Sequence, residues 1–226
     1  MIKESGKEKK ARVLKIITLL KQSTKGMLPT ASAQIMARYG KNPYLILISC
    51  LLSLRTKDTV SFPASCRLFE HAKTPQEMLK LPISTIEKLI YPTGFYKNKA
   101  RLLHSVSADL LKRFNGKVPQ DQADLLSIKG VGGKTASLVQ GDAFGIPAIC
   151  VDTHVHRISN RLGLVKTQTP QQTEAALKEL LPKDQWIAFN HLLVMWGQNI
   201  CVPISPKCSS CVLLPLCPQI GVTTRR

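Results

Sequence analysis

Two stretches of this 226-residue chain hold residue types at spacings that can do chemistry. The first is "SIKGVGGKTASLV", residues 127–139, which sets three glycines and a lysine between two apolar runs. "DQADLLSI" reads as one helix and "KTASLVQGDAF" as the next, so "KGVGG" is the hairpin that joins them. Glycine permits positive φ and close backbone approach. A helix starting from such a turn leaves amides unpaired at its N-terminus, where a phosphate can bind. A ligand-free helix cap is the reading for a lone G-x-G; Lys134, directly after the turn, and the charge of the whole chain favour phosphate. The second stretch, "CVPISPKCSSCVLLPLC", places Cys201, Cys208, Cys211 and Cys217 at C-x6-C-x2-C-x5-C spacing. Four thiolates that close together can wrap one metal centre. Zinc is one occupant, although zinc ribbons usually show two short C-x-x-C knuckles; an iron–sulfur cluster is the other.

Composition narrows the partners. Lys and Arg number 32 against 14 Asp and Glu, a formal charge of +18. Such self-repulsion calls for a polyanion, and nucleic acid leads because each neutralised phosphate releases counterions. The basic residues are spread along the chain rather than clustered beside an apolar run, which weighs against a membrane surface. No run reaches the ~20 apolar residues a bilayer span needs. Seven cysteines without a secretion signal argue for ligation rather than disulfides and for an intracellular place, cytoplasmic or nucleoid-associated. Cys50, Cys66 and Cys150 read as buried thiols.

The elements that must position these residues are helices. The N-terminal "MIKESGKEKKARVLKIITLLKQ" reads as an amphipathic helix with a frayed basic start and an apolar face of Val13, Leu14, Ile17 and Leu20. "YLILISCLLSLRTKD" is apolar throughout and reads as the central helix of a bundle. Capping boxes are expected at Thr74 with Glu77, Ser84 with Glu87, and Thr169 with Gln172. Leu177, Leu180 and Leu181 extend the last of these helices as a buried face. Gly145 and Pro147 break the chain, and Asp152 stands where the next helix wants an N-cap. The tail "GVTTRR" reads as disordered. The fold class is all-α.

With these residues in view, the chain resembles the endonuclease III family of helix-hairpin-helix DNA glycosylases. "IKGVGGKTA" is similar to that family's hairpin, and Asp152 in "VDTH" follows Lys134 by eighteen residues. "LLSLRTKD" and "TGFYKNKA" resemble the family's DNA-probing helix and next DNA-facing loop, so the likeness runs from about Tyr44 to Cys217. The resemblance implies that Lys134 and Asp152 are the catalytic pair, and that Gly130, Val131, Gly132, Gly133, Thr135, Arg55, Phe95 and His154 contact DNA. It implies a 4Fe–4S cluster on Cys201, Cys208, Cys211 and Cys217, with a structural job. It also implies two helical domains flanking a DNA-binding cleft: a helical barrel over 36–146, with its hairpin near 121–144, and a cluster domain of 1–35 plus 147–226. The adenine-removing branch of the superfamily as a rule lacks this lysine.

The chemistry of the pair follows. A lysine attacks a sugar C1′ only as the neutral amine, which is scarce at neutral pH for a pKa of ~10.4. A helix N-terminus, surrounding cations and desolvation by bound DNA are expected to lower it at Lys134, against the pull of an Asp152 carboxylate. Attack gives a Schiff base, which permits β-elimination of the 3′ phosphate. Asp152, ionised at an N-cap, can stabilise an oxocarbenium-like sugar or move protons. His154 and His156, two apart, do not share a helix face and read as phosphate contacts or packing.

Three positions depart from the family pattern. Arg55 stands where glutamine is common, Phe95 where a leucine wedge is common, and Gly133 where a basic residue is common. A base must leave the stack before an enzyme can act on it, and side chains fill the gap. Phe95 is expected to stack there and Arg55 to bond the orphaned base edge; a packed phenylalanine and a helix-face arginine are the plain alternative. The expected function is excision of oxidised pyrimidines from double-stranded DNA, followed by cleavage at the abasic site, by a chain acting as a monomer. The alternatives are an abasic-site lyase with weak or different glycosylase specificity, a non-catalytic DNA-binding helical protein, and a zinc-stabilised interaction protein.

Overall fold

The computed structural model describes residues 4–226, and these form twelve α-helices and two single 3-10 turns, with no β-strand among the described residues. The first three residues of the basic N-terminal segment lie outside the described residues. The chain divides into two compact units, one spanning Thr30–Ile146 and the other joining the N-terminal segment up to Pro29 with Pro147–Arg226.

The Thr30–Ile146 unit is built around one helix. In chain order it holds α2 (Ala31–Tyr39), α3 (Pro43–Ser53), α4 (Asp58–Phe69), α5 (Pro75–Lys80), α6 (Ile83–Ile90), α7 (Tyr96–Phe114), α8 (Gln122–Ser127) and α9 (Gly133–Phe144). Every residue of α3 from Tyr44 to Leu52 is buried, as its uniformly apolar sequence demands. It packs against α2, α4, α7 and α9, while α5 and α6 lie on α7 and α8 on α9. Thr74 caps α5 in a full box with Glu77. The box expected at Ser84 does not form: α6 begins at Ile83, one residue earlier, with Pro82 as its N-cap and no side-chain cap. The Pro82 carbonyl takes the Thr85 and Ile86 amides, so Ser84 falls inside the helix.

The other unit contains α1 (Gly6–Ser23), α10 (Thr153–Arg161), α11 (Pro170–Leu180) and α12 (Trp186–Asn199), with α12 packed on α1 and α10. Its core joins Val13, Ile16 and Leu20 of α1 to Val155, Phe189 and Trp196. Two sequence expectations change here. Leu14 is 44% exposed and Ile16 takes its place on the buried face. The helix start is not frayed: Ser5 caps it in a box with Glu8, and the Arg12 guanidinium pairs with Glu4 at 2.6 Å. Thr169 and Gln172 make the expected box on α11, and Leu177, Leu180 and Leu181 are buried. The C-terminal tail is held rather than free, because the Arg226 amide donates to the Pro206 carbonyl and its carbonyl accepts from the Ser209 amide.

Candidate active site and cysteine cavity

The hairpin of the Thr30–Ile146 unit runs from α8 through residues 128–132 into α9. Gly130 has φ +87°, which favours glycine, and a Cβ there would stand 2.6 Å from Leu102 Cδ1 and force that side chain to shift. Around Gly132 and Gly133 a Cβ would meet nothing within 4 Å, so the backbone is open on that side. Gly132 is the N-cap of α9 and has no side chain with which to close the first-turn amides. Lys134 is exposed in that first turn. Val131 and Thr135 are placed differently from what direct DNA contact through their side chains requires: they are 6% and 2% exposed and buried in the unit.

Asp152 is the N-cap of α10 in the other unit. Its Oδ1 accepts the His154 amide at 2.8 Å and the Val155 amide at 2.9 Å, and the residue keeps partial exposure. A carboxylate at this position is favoured by the helix dipole as well as by its two amides. The partly buried His154 ring lies against Gly197, and the Arg157 Nη2 is 3.1 Å from its Nδ1. His156 Nδ1 pairs with Thr173 Oγ1 at 2.6 Å.

Arg55 and Phe95 come together within the Thr30–Ile146 unit. Both are exposed, Phe95 at 61%, and the Arg55 guanidinium carbon lies 5.7 Å from the Phe95 ring centre. Both sit in the left-handed region, with φ +52° and +58°. Such conformations in non-glycine residues cost about 1–3 kcal/mol each and gather at functional sites.

The four cysteines, all partly buried, line one cavity in the unit that carries the C-terminus, together with Ile158, Leu162 and Trp196. About 420 Å³ there is free of protein atoms, part of it open to solvent. No group of three or more His, Cys, Asp or Glu among the described residues is placed to hold a metal ion. Burial pushes the Cys217 thiol up to about 11, against a lowering hydrogen bond from the Gln219 backbone. One buried donor on the cavity wall, Gln219 Nε2, has no hydrogen-bond partner, while the Trp196 indole N–H faces the Cys211 sulfur. An orphaned donor is costly unless an acceptor arrives, and a group bearing thiolate and sulfide charge supplies one. Arg161 braces the cysteine loop by donating to the Val202 and Pro203 carbonyls at 2.7 and 2.6 Å, and to Cys201 Sγ at 3.4 Å. Cys50, Cys66 and Cys150 are buried and belong to the packing, and burial pushes the Cys50 thiol up.

The residues that sequence reading missed are Lys99, Thr56 and Gly94, which link the Arg55 and Phe95 loops. Their signal was present: helical spacing puts Lys99 on the same stripe as Leu103, Val106 and Leu110, where a lysine is out of place.

Comparison with known proteins agrees with this arrangement. The family described as "HhH-GPD superfamily base excision DNA repair protein" matches residues 48–183. The chain is 43% identical to the "Endonuclease III" of Thermotoga maritima over 196 residues, covering 84% of this chain and 92% of that protein. It covers less of the longer plant and animal relatives, from 48% to 63% of their lengths. Among solved structures, "Structure of a non-covalent Endonuclease III-DNA Complex" superposes with a TM-score of 0.82 at 34% identity, covering 93% of this chain and 95% of that one. "Structure of a Trapped Endonuclease III-DNA Covalent Intermediate: Estranged-Adenine Complex" gives 0.80 at 33% identity over 93% and 96%. No helix among the described residues is long and apolar enough to cross a membrane.

Proposed function

Because this chain belongs to the HhH-GPD superfamily of base excision DNA repair proteins, we propose that it removes oxidised pyrimidines from double-stranded DNA and cuts the resulting abasic site through a covalent bond to Lys134. It is a base excision repair enzyme, a DNA glycosylase and abasic-site lyase. The observation that carries the assignment of Lys134 is its exposure in the first turn of α9, after a glycine hairpin and without a side-chain cap. There the open backbone of Gly132 and Gly133, after the turn at Gly130, receives a phosphate, and the neighbouring amine reaches the sugar.

The neutral Lys134 amine bonds to C1′ as the base departs with its electron pair and takes up a proton. Loss of a proton from nitrogen and opening of the sugar give the Schiff base. Removal of a C2′ proton then expels the 3′ phosphate, and water releases the enzyme. Asp152 stabilises positive charge on the sugar during base departure, and its two amide bonds hold the carboxylate in one orientation. Arg55 and Phe95 fill the space left by the extruded nucleotide, Phe95 by stacking.

We assign the cysteine cavity to a 4Fe–4S cluster held by Cys201, Cys208, Cys211 and Cys217. A cavity walled by four cysteines, the Trp196 indole N–H and the orphaned Gln219 amide fits an anionic group that accepts hydrogen bonds. When bound, the cluster pins the C-terminal segment; the arginines and the tail contacts orient the loop around it.

Duplexes each carrying one lesion test the reading. The wild type releases oxidised pyrimidines and nicks the strand, and Lys134→Gln loses nicking by orders of magnitude. Nicking of abasic DNA without release of any damaged base favours the second reading, a lyase with different glycosylase specificity, which the departures at Arg55 and Gly133 make specific to this chain.

A further inference from the structure

We propose that Lys99 and Thr56 form a lock that holds Arg55 and Phe95 as one preorganised pair, making Lys99 and Thr56 positioning residues for nucleotide extrusion. The inference rests on the reading of Arg55 and Phe95 as the gap-filling side chains. Lys99, 6% exposed, lies on the buried stripe of α7 with Leu103 and Val106. Its Nζ donates to the Leu52 carbonyl at 2.6 Å and to Thr56 Oγ1 at 2.8 Å. Leu52 is in the last turn of α3, where carbonyls lack helical partners and the dipole favours a cation.

Thr56 is the junction. Its hydroxyl accepts from Lys99 and from the Gly94 amide at 3.0 Å, and donates to the Leu54 carbonyl at 3.3 Å. One donation and two acceptances use the whole capacity of a hydroxyl. These bonds join the turn that carries Arg55 to the loop that carries Phe95. At the contact, a Cβ on Gly94 would stand 2.8 Å from the Arg55 carbonyl oxygen, so only glycine lets the two backbones meet. Behind Phe95 the loop is braced again: Arg67 donates to the Leu89 and Tyr91 carbonyls, and Tyr91 meets Tyr96 edge-on at 5.4 Å. A hydrocarbon in place of Lys99 would fill the stripe without desolvation, but would leave Thr56 and Leu52 without their donor. The left-handed backbone at Arg55 and Phe95 is held by these contacts.

The test is a double-mutant cycle on base excision from a lesion duplex, read together with the fluorescence rise of 2-aminopurine beside the lesion. Lys99→Met and Thr56→Val each slow excision by about tenfold or more, because a misplacement near 1 Å can cost that much. Both reduce the 2-aminopurine amplitude, and Thr56→Ser, which keeps the hydroxyl, restores rate and amplitude. Lys99→Met combined with Phe95→Ala is no slower than the slower single variant. Losses that multiply, a 2-aminopurine amplitude unchanged in Lys99→Met, or equal defects in Thr56→Val and Thr56→Ser overturn the lock. A silent Phe95→Ala overturns the gap-filling reading itself, a separate outcome. Where Lys99→Met fails to fold, the Thr56 pair decides.

Discussion

The observed cap and the proposed catalytic role of Asp152 meet in one side chain, and they can be separated. As N-cap it accepts two amides; the proposed role requires it to bear charge. Asparagine caps as well as aspartate, whereas alanine costs about 0.5–2 kcal/mol. Asp152→Asn is therefore expected to hold unfolding free energy within about 0.5 kcal/mol of wild type, and Asp152→Ala to lose about 1 kcal/mol, on the same cap scale. Base excision falls steeply in both. An Asn variant with full excision would reduce Asp152 to a cap. The cap itself was legible, since Asp before an amphipathic run is a local signal. The burial of Val131 and Thr135 was not, because which hairpin residues face the core depends on where α8 meets α9, not on their own types. The room that Gly197 leaves for the His154 ring was likewise not legible.

Among the elements, α3 shows how burial and charge meet at a helix end. Lys99 is brought down to about 8 from the ordinary 10.5 because burial disfavours the ammonium. From about pH 8 to about pH 10.5 the unfolded chain holds a proton there that the folded chain does not, so Lys99's burial penalty fades and stability rises with pH. Below about pH 8 both states hold the proton and the penalty is complete. The measurement is the wild-type minus Lys99→Met difference in unfolding free energy, taken near about pH 7 and about pH 10. The difference should move in favour of the wild type at the higher pH; a flat or reversed difference contradicts the buried ammonium. The helices themselves were largely readable, because caps such as Thr74 and Thr169 and the apolar run of α3 are local patterns. Ser84 failed as a cap because a preceding proline started the helix first. Ser5 with Glu8 was an equally plain box, hidden under the charge of its neighbours.

Over the whole molecule, the all-α class and the two chemical stretches follow from composition and spacing. What composition leaves blank is the long-range bonding of side chains to distant backbone, such as Arg12 to the Leu162 and Leu216 carbonyls, or Arg157 to the Cys201 carbonyl at 2.9 Å. Such bonds follow the shape of the fold and leave no periodicity. Backbone bonds between distant segments act likewise on the tail, polar and short, which they pin to residues 206–209. The surplus of 18 positive charges favours DNA whatever its sequence; in the proposed mechanism only the hairpin amine turns that attraction into a reaction. Borohydride reduction during turnover on abasic DNA, followed by mass spectrometry of the cross-linked peptide, tests that claim most directly. One adduct is expected, on Lys134, absent from Lys134→Gln. An adduct of undiminished yield in Lys134→Gln, or one mapped to another amine in the wild type, would contradict it.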